Sequence, residues 1–279
     1  MRRWFLAMLL SALALFAWAP LWMLLSGSLM GAEEVAGNLG PVLGDTEGAA
    51  VWPLLPLYPT LRPYVELLLD SPEFFAMFWN SCRQVAPVVA GQVLIGAPAA
   101  WAFARLRFRG KKALFSLYIV LMLMPFQVTM VSSYLVLDGL GLLDTVWAVI
   151  LPGAVSTFPV FLMVRFFAAI PSALTEAAAL DGAGPLRTFL HVGLPLGAPG
   201  LLSAVVLGFL EYWNALEQPL TFLKDKTLWP LSLYLPTVTA DNAGVSLAAS
   251  VVMLLPALLI FLFGQKYLEQ GIAAAGLKD

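Results

Sequence analysis

The chain has 279 residues, of which 61% are hydrophobic and only 11% charged, with a formal net charge of −2 and a mean hydropathy of +0.87. Ordinary soluble domains are roughly 25% charged, and a soluble core of this length cannot hide so much apolar surface, whereas lipid solvates it directly. Composition therefore excludes a soluble globular domain, the charge gives no sign of nucleic acid, and the single Cys82 excludes an internal disulfide or a Cys-based metal cluster.

A membrane span needs about 20 mostly apolar residues. Six runs qualify and predict an all-α polytopic membrane protein: 4–25, 85–103, 113–137, 146–167, 193–212 and 244–263. The first run follows a charged MRR start, and Ala17-Trp18-Ala19 has the form of a cleavage site. Pro20 follows that site and the apolar run continues to Leu25, too long for a signal-peptide core of about 7–15 residues. It reads as an uncleaved anchor.

The next segment, 26–79, is acidic: Glu33, Glu34, Asp45, Glu47, Glu66, Asp70 and Glu73 stand against Arg62. Its middle, WPLLPLYPTLRP at 52–63, cannot form one helix, because each internal proline removes a donor and clashes with the preceding turn. An extended stretch is expected there, then a short helix near 64–70 along the membrane. Farther on, Gly139 and Gly141 break the third run from the fourth.

Basic residues set the orientation. With the N-terminus inside, the cytoplasmic segments hold Arg2, Arg3, Arg105, Arg107, Arg109, Lys111, Lys112, Arg165, Arg187, Lys266 and Lys278. The opposite side holds Arg62, Arg83, Lys224 and Lys226. Both termini and the loop before the fifth run are therefore expected in the cytoplasm. The block RLRFRGKK reads as a topology anchor, with phosphate-headgroup contact as a second reading.

That loop, 176–197, is polar and punctuated by Gly and Pro. Pro171 and Ser172 open a helix, 173–180 are good helix formers, Gly182 or Gly184 stops it, and Pro185 begins another. The product is a helix–turn–helix on which Ala177, Ala178 and Ala179 leave a low-profile surface and Glu176 one charge. Another protein can approach such a surface closely. The plainer alternative is an ordinary amphipathic re-entry loop.

Glu176-Ala177-Ala178, then Gly182, then nine residues, then Val192-x-Leu194-Pro195, resembles the EAA loop of ATP-binding-cassette importer permeases, with Val in place of the usual Ile. Shorter segments are similar to the carbohydrate, maltose-transporter-like subfamily. They are Asn80-Ser81, AAWAFARLRFRGKK at 99–112, LGLLDT at 140–145, Trp213-Asn214 with Pro219-Leu220, and GQKYLEQGIAAAGLKD at 264–279.

The resemblance implies that the loop, about 170–195, is a coupling helix seated in a cleft of an ATPase subunit. Glu176, Ala177, Ala178, Asp181, Gly182, Leu194 and Pro195 would carry the coupling, with Glu176 meeting a basic group and Gly182 making the turn. It further implies a second homologous permease subunit, two ATP-binding-cassette ATPase subunits and an extracytoplasmic solute-binding protein. By the same resemblance the setting would be a bacterial cell membrane and the cargo a sugar or related solute. The chain is then one permease domain, 1–279, with an external segment 26–79, core spans within 80–264 and a cytoplasmic tail 265–279.

No catalytic constellation stands in the sequence. Gly110-Lys111 lacks the upstream glycine of a phosphate loop, Gly139-x-Gly141 lacks the third glycine of a dinucleotide fingerprint, and His191 has no HExxH around it. No metal, cofactor or enzymatic activity is expected, and ATP hydrolysis must belong to separate subunits. Pro87, Pro98, Pro125, Pro152, Pro159 and Pro256 interrupt spans or their ends, either as packing kinks or as pathway lining. Polar groups in or near spans, among them Gln92, Gln127, Thr129, Ser132, Ser133, Tyr134, Glu211 and Asn214, are candidates for a hydrophilic path. Gln127, Tyr134, Tyr212, Trp213 and Asn214 are the leading candidates for contact with the pathway, although Trp and Tyr also anchor at membrane interfaces. A membrane-embedded enzyme would need converging Asp, His or Ser–Lys groups, and a self-sufficient carrier would leave the loop without a purpose.

Overall fold

The computed structural model describes residues 2–43, 49–234 and 242–276, so Asp45, Glu47 and Lys278 of the charges named above lie outside the described residues. Among the described residues the structure is helical, with no β-strand. Five helical stretches are long and apolar enough to cross a membrane, and a bent helix pair makes a sixth if it counts as one span.

Helix α1, Arg2–Gly27, holds the first predicted span and keeps Pro20 inside it without a break. Its side chains are exposed from Trp4 through Met23. Helix α2, Ala32–Leu43, was not foreseen, because Gly37, Gly40 and Pro41 argue against a helix. Glu33 and Glu34 in its first turn suit the helix dipole, and Val35 packs with Met30 and Ala243, flanked by Leu39 and Leu43.

The proline-rich stretch is non-helical, as expected. Side chains pin it in place: Trp22 Nε1 donates to Leu54 O at 2.7 Å, and the Glu34 carboxylate accepts from Leu57 N at 2.7 Å. The short helix expected near 64–70 is α3, Arg62–Leu69.

Helix α4, Pro72–Arg105, has 34 residues and is about 50 Å long at 1.5 Å per residue, so it outruns a bilayer core of about 30 Å. It begins 13 residues before the predicted span at 85, which places Asn80-Ser81 inside the helix. Their side chains hold a distant segment. Asn80 Nδ2 donates to Thr227 O at 2.6 Å and Trp229 O at 3.1 Å, while Ser81 Oγ accepts from Leu231 N at 2.8 Å.

The span predicted as continuous over 113–137 is two helices, α5 (Lys111–Leu123) and α6 (Phe126–Gly139), bent by 105°. Pro125 causes the bend: it has no N–H to continue the ladder and drives Met124 extended, to ψ 121°. Pro87, Pro98 and Pro256 sit inside unbroken helices, so they kink at most. The fourth span is α7, Trp147–Ala154, followed by α8, Thr157–Ala169, with a short break at Val155-Ser156. Pro159 lacks the N–H that would have reached Val155 O, which is one source of that break.

Helix α9 (Ser172–Leu180) and α10 (Pro185–Thr188) lead into a π-helical turn, Phe189–Gly193, and then α11, Leu194–Trp213. Next come α12 (Glu217–Phe222), 3₁₀ turns at Lys226–Leu228 and Leu231–Leu233, and α13, Ala243–Gly276. Helix α13 continues beyond 263, so the described part of the expected tail is helical.

The chain sorts into two compact units, Met1–Ala76 with Tyr234–Pro256, and Met77–Leu233 with Ala257–Asp279. In the first, Ser28 Oγ and the Tyr64 hydroxyl are 2.7 Å apart, and Phe74 meets Tyr234 edge to face. The second is built around α8 and α11. A Cβ at Gly197 would lie 2.3 Å from the Phe167 ring, and one at Gly200 would lie 2.5 Å from the Phe166 ring. Small residues of this kind let two spanning helices approach backbone to side chain, where dispersion rather than the hydrophobic effect holds them.

Candidate functional site

The loop between the fourth and fifth spans is built from α9, a tight turn and α10. Its N-cap is Pro171, and α9 carries Glu176, Ala177 and Ala178. Asp181 caps the C-terminus, and Gly182 follows in the left-handed region at φ +79°. Gly182 N donates to Ala179 O at 3.0 Å and Ala183 N to Ala178 O at 2.9 Å. That pair of bonds is a Schellman motif, and its left-handed position explains the glycine.

Gly184 starts the second helix in extended geometry, with Pro185 in its first turn. The expected helix–turn–helix is therefore present, with Gly182 rather than Gly184 as the stop.

Glu176, Ala177, Asp181 and Gly182 are exposed, Ala178 is half-buried, and Glu176 makes no ion pair among the described residues. Two exposed leucines escaped the sequence reading: Leu180 is 90% exposed and Leu186 70%. These leucines leave apolar area that the rest of the chain does not cover. Their signal in the sequence was the leucine on either side of DGAGP. His191 is exposed, with Nδ1 3.0 Å from Arg187 O, one turn back.

The far end of the motif serves a different purpose. Val192 and Gly193 lie in the π turn, where Leu194 N donates to Phe189 O, five residues back. The wide turn precedes Pro195, whose ring would crowd the carbonyl four residues earlier. Leu194 packs against the buried cluster of Trp101, Phe167 and Phe189, while Pro195 is exposed at the start of α11. The motif thus divides into an exposed tip, 176–182, and a stem, 192–195, rooted in the helix packing.

The pathway candidates separate into two groups. Gln127 and Tyr134 lie on α6, facing the α12 segment. Gln127 Nε2 donates to Glu217 Oε1 at 2.5 Å, and Lys224 Nζ sits 6.0 Å over the Tyr134 ring. Glu217 was missed by the sequence reading. Tyr212 and Trp213 are buried in helix packing: Tyr212 lies against Gly153, and Trp213 stacks on Phe209 at 5.3 Å and meets Phe78 edge to face. Asn214 is exposed and its Nδ2 donates to Leu210 O at 2.8 Å. Gln92 is buried, and its Nε2 donates to Gly153 O at 3.1 Å beside the break after α7.

The LGLLDT turn explains itself by geometry. Asp144 has φ 58°, and its Oδ1 accepts from Lys224 N at 2.9 Å and Asp225 N at 2.7 Å. Asp144 N donates in turn to Phe222 O at 3.0 Å, so this one residue staples the end of α12.

Comparisons with known proteins agree with this architecture. Residues 92–274 match the family described as binding-protein-dependent transport system inner membrane component. An arabinooligosaccharides transport system permease protein of Halalkalibacterium halodurans is 27% identical over 99% of this chain and 96% of its own length. A probable ABC transporter permease protein of Pyrococcus horikoshii is 32% identical over 79% of this chain and 82% of its own. A sulfoquinovosyl glycerol transport system permease protein of Agrobacterium fabrum is 31% identical over 80% of each. Among solved structures, a chain of a bacterial ABC transporter involved in the import of alginate has the same fold, with a TM-score of 0.79, 24% identity and 94% coverage of both chains. The chain is a multi-pass permease subunit, not an enzyme, and belongs to the family of binding-protein-dependent transport system inner membrane components.

Proposed function

We propose that the loop at about 170–195 is the coupling element through which ATPase subunits drive this permease. The observation that carries the reading is the exposed tip, where a Schellman-capped helix presents Glu176 and small alanines beside the bare Leu180 and Leu186. The basic residues beside the loop side of the spans support a cytoplasmic position for it and for both termini. The whole chain works as one permease domain, and a second, related permease completes the pathway. Two ATPase subunits dock on the loops, and a solute-binding protein delivers cargo on the opposite face.

ATP binding closes the ATPases, draws the loops together and turns the pathway outward, and hydrolysis resets it. The free energy comes from nucleotide-dependent contacts at the loop, because a ligand shifts an equilibrium only by its differential affinity for the two states. The cargo is a sugar or sugar derivative. Support for this lies in the relatives named for arabinooligosaccharides and sulfoquinovosyl glycerol transport. Gln127, Glu217 and Tyr134 supply the polar groups nearest to a pathway role.

Affinity purification of the tagged chain from its own host in mild detergent tests the assembly. Nucleotide-binding subunits are expected in the eluate. Recovery of the folded chain without any of them sinks the reading.

A further inference from the structure

The two stems of the loop are both tied to a third element, the last turn of α4. Helix α8 ends at Ala169 with Ile170 already extended, so its final carbonyls have no partners within the helix. Arg105 supplies them: its Nε donates to Phe167 O at 2.9 Å, and its Nη2 donates to Ile170 O. A guanidinium at a helix C-terminus also complements the helix dipole.

One turn earlier on the same face stands Trp101. Its ring meets Phe167 edge to face at 5.4 Å, tilts onto Phe189 at 5.8 Å, and lies 6.0 Å beneath the Arg105 guanidinium. The return stem is shaped to receive it, since a Cβ at Gly193 would lie 2.8 Å from the Trp101 ring. Trp101 is 5% exposed, and Phe167 and Phe189 are buried with it. Thus an i, i+4 pair on α4 grips the outgoing stem at Phe167 and Ile170 and the returning stem at Phe189 and Gly193.

We infer that Trp101 and Arg105 are positioning residues for coupling: they lock both stems of the loop to α4, so that a push on the loop tip moves α4 as one body with it. The inference rests on the loop being the coupling element. Neither residue touches the exposed tip, so their effect is on transmission and not on docking. A tryptophan ring and a planar guanidinium suit this task because each makes contacts on two sides with few torsions left free.

The test uses the assembled transporter with its ATPase subunits, which are made cysteine-free. The native Cys82 on α4 and an Ala173→Cys substitution at the start of α9 are spin-labelled, and their distance is measured without nucleotide and after trapping with ATP and vanadate. In the otherwise unaltered chain the distance stays constant within the about 1–2 Å of ordinary helix adjustment. In Arg105→Gln it shifts beyond that on trapping or broadens, and in Arg105→Lys the behaviour is intermediate, because one ammonium satisfies one carbonyl without the planar fork. Trp101→Leu serves as the second variant if Arg105→Gln does not assemble.

A nucleotide-dependent distance change in the unaltered chain overturns the inference, as does a sharp, invariant distance in the altered ones. Cross-linking from Ala177→Cys, in a Cys82→Ser background, to the ATPase with a reagent that is thiol-specific at one end and photoreactive at the other separates the two levels. Its absence refutes the coupling reading itself, whereas its presence with unlocked stems refutes only the lock.

Discussion

Replacing Gly182 tests whether backbone conformation or space dictates the tip of the loop. Gly182 has φ +79°, and nothing lies within 4 Å of a Cβ built on it, so an added side chain meets no neighbour. The whole penalty is conformational. Holding an L-residue in the left-handed region costs about 1–2 kcal/mol. The alternative is to leave that region and give up the two bonds to Ala178 and Ala179, at about 0.5–1.5 kcal/mol each. The cheaper route limits the loss to about 1–2 kcal/mol, which lowers the share of loops in docking geometry by a factor of about 5–30. Gly182→Ala is therefore expected to weaken binding of the purified ATPase subunit to the chain in nanodiscs by that factor. Gly182→Asn should lose less, because asparagine tolerates the left-handed region, and Gly182→Val should lose most. Membrane insertion is unaffected, since the position lies outside every span. If Asn and Val impair binding equally, or if Ala binds as Gly does, the backbone argument is wrong.

Asp144→Ala removes the acceptor of two backbone N–H groups and should release the 222–225 segment. At roughly 1.5–3 kcal/mol for a hydrogen bond to a charged acceptor, amide exchange at Lys224 and Asp225 rises about tenfold or more, while Asp144→Asn keeps a neutral acceptor oxygen and loses less. Unchanged exchange would remove the staple from the account. Gly197→Ala forces a methyl to within 2.3 Å of the Phe167 ring and should destabilise the detergent-solubilised chain by about 1–3 kcal/mol, read as a lower melting temperature. Shrinking the ring in the double variant with Phe167→Leu should recover part of that loss, and no recovery would show that the contact is not the cause.

Much of the architecture was legible because bilayer insertion depends on local composition. Apolar runs located five of the six spans to within a few residues at one or both ends, since a spanning helix satisfies its own backbone and needs no distant partner. The loop was legible for the same reason: its caps, its Gly182 stop and its Pro185 restart are near-neighbour effects. What failed depended on context. Six prolines looked alike in the sequence, yet only Pro125 turns its helix sharply, because the bonds and packing that hold a kinked helix straight come from elsewhere in the fold. Asn80, Ser81 and Asp144 stood out only as family-like letters, and their hydrogen bonds reach about 80 to 150 residues along the chain.

For the candidate site the division falls in the same place. The sequence by itself determined a helical membrane protein with a polar, glycine-stopped loop that lacks any ATP-hydrolysing motif, because hydropathy, proline and left-handed glycine act within a few residues. Only the tertiary structure decided that the EAA pattern is part exposed tip and part stem rooted in the helix packing. It alone placed Tyr212 and Trp213 in helix packing and brought Trp101 and Arg105 onto both stems. Each of those assignments depends on which side chains meet across helices, and burial of that kind is a property of neighbours far away in the chain.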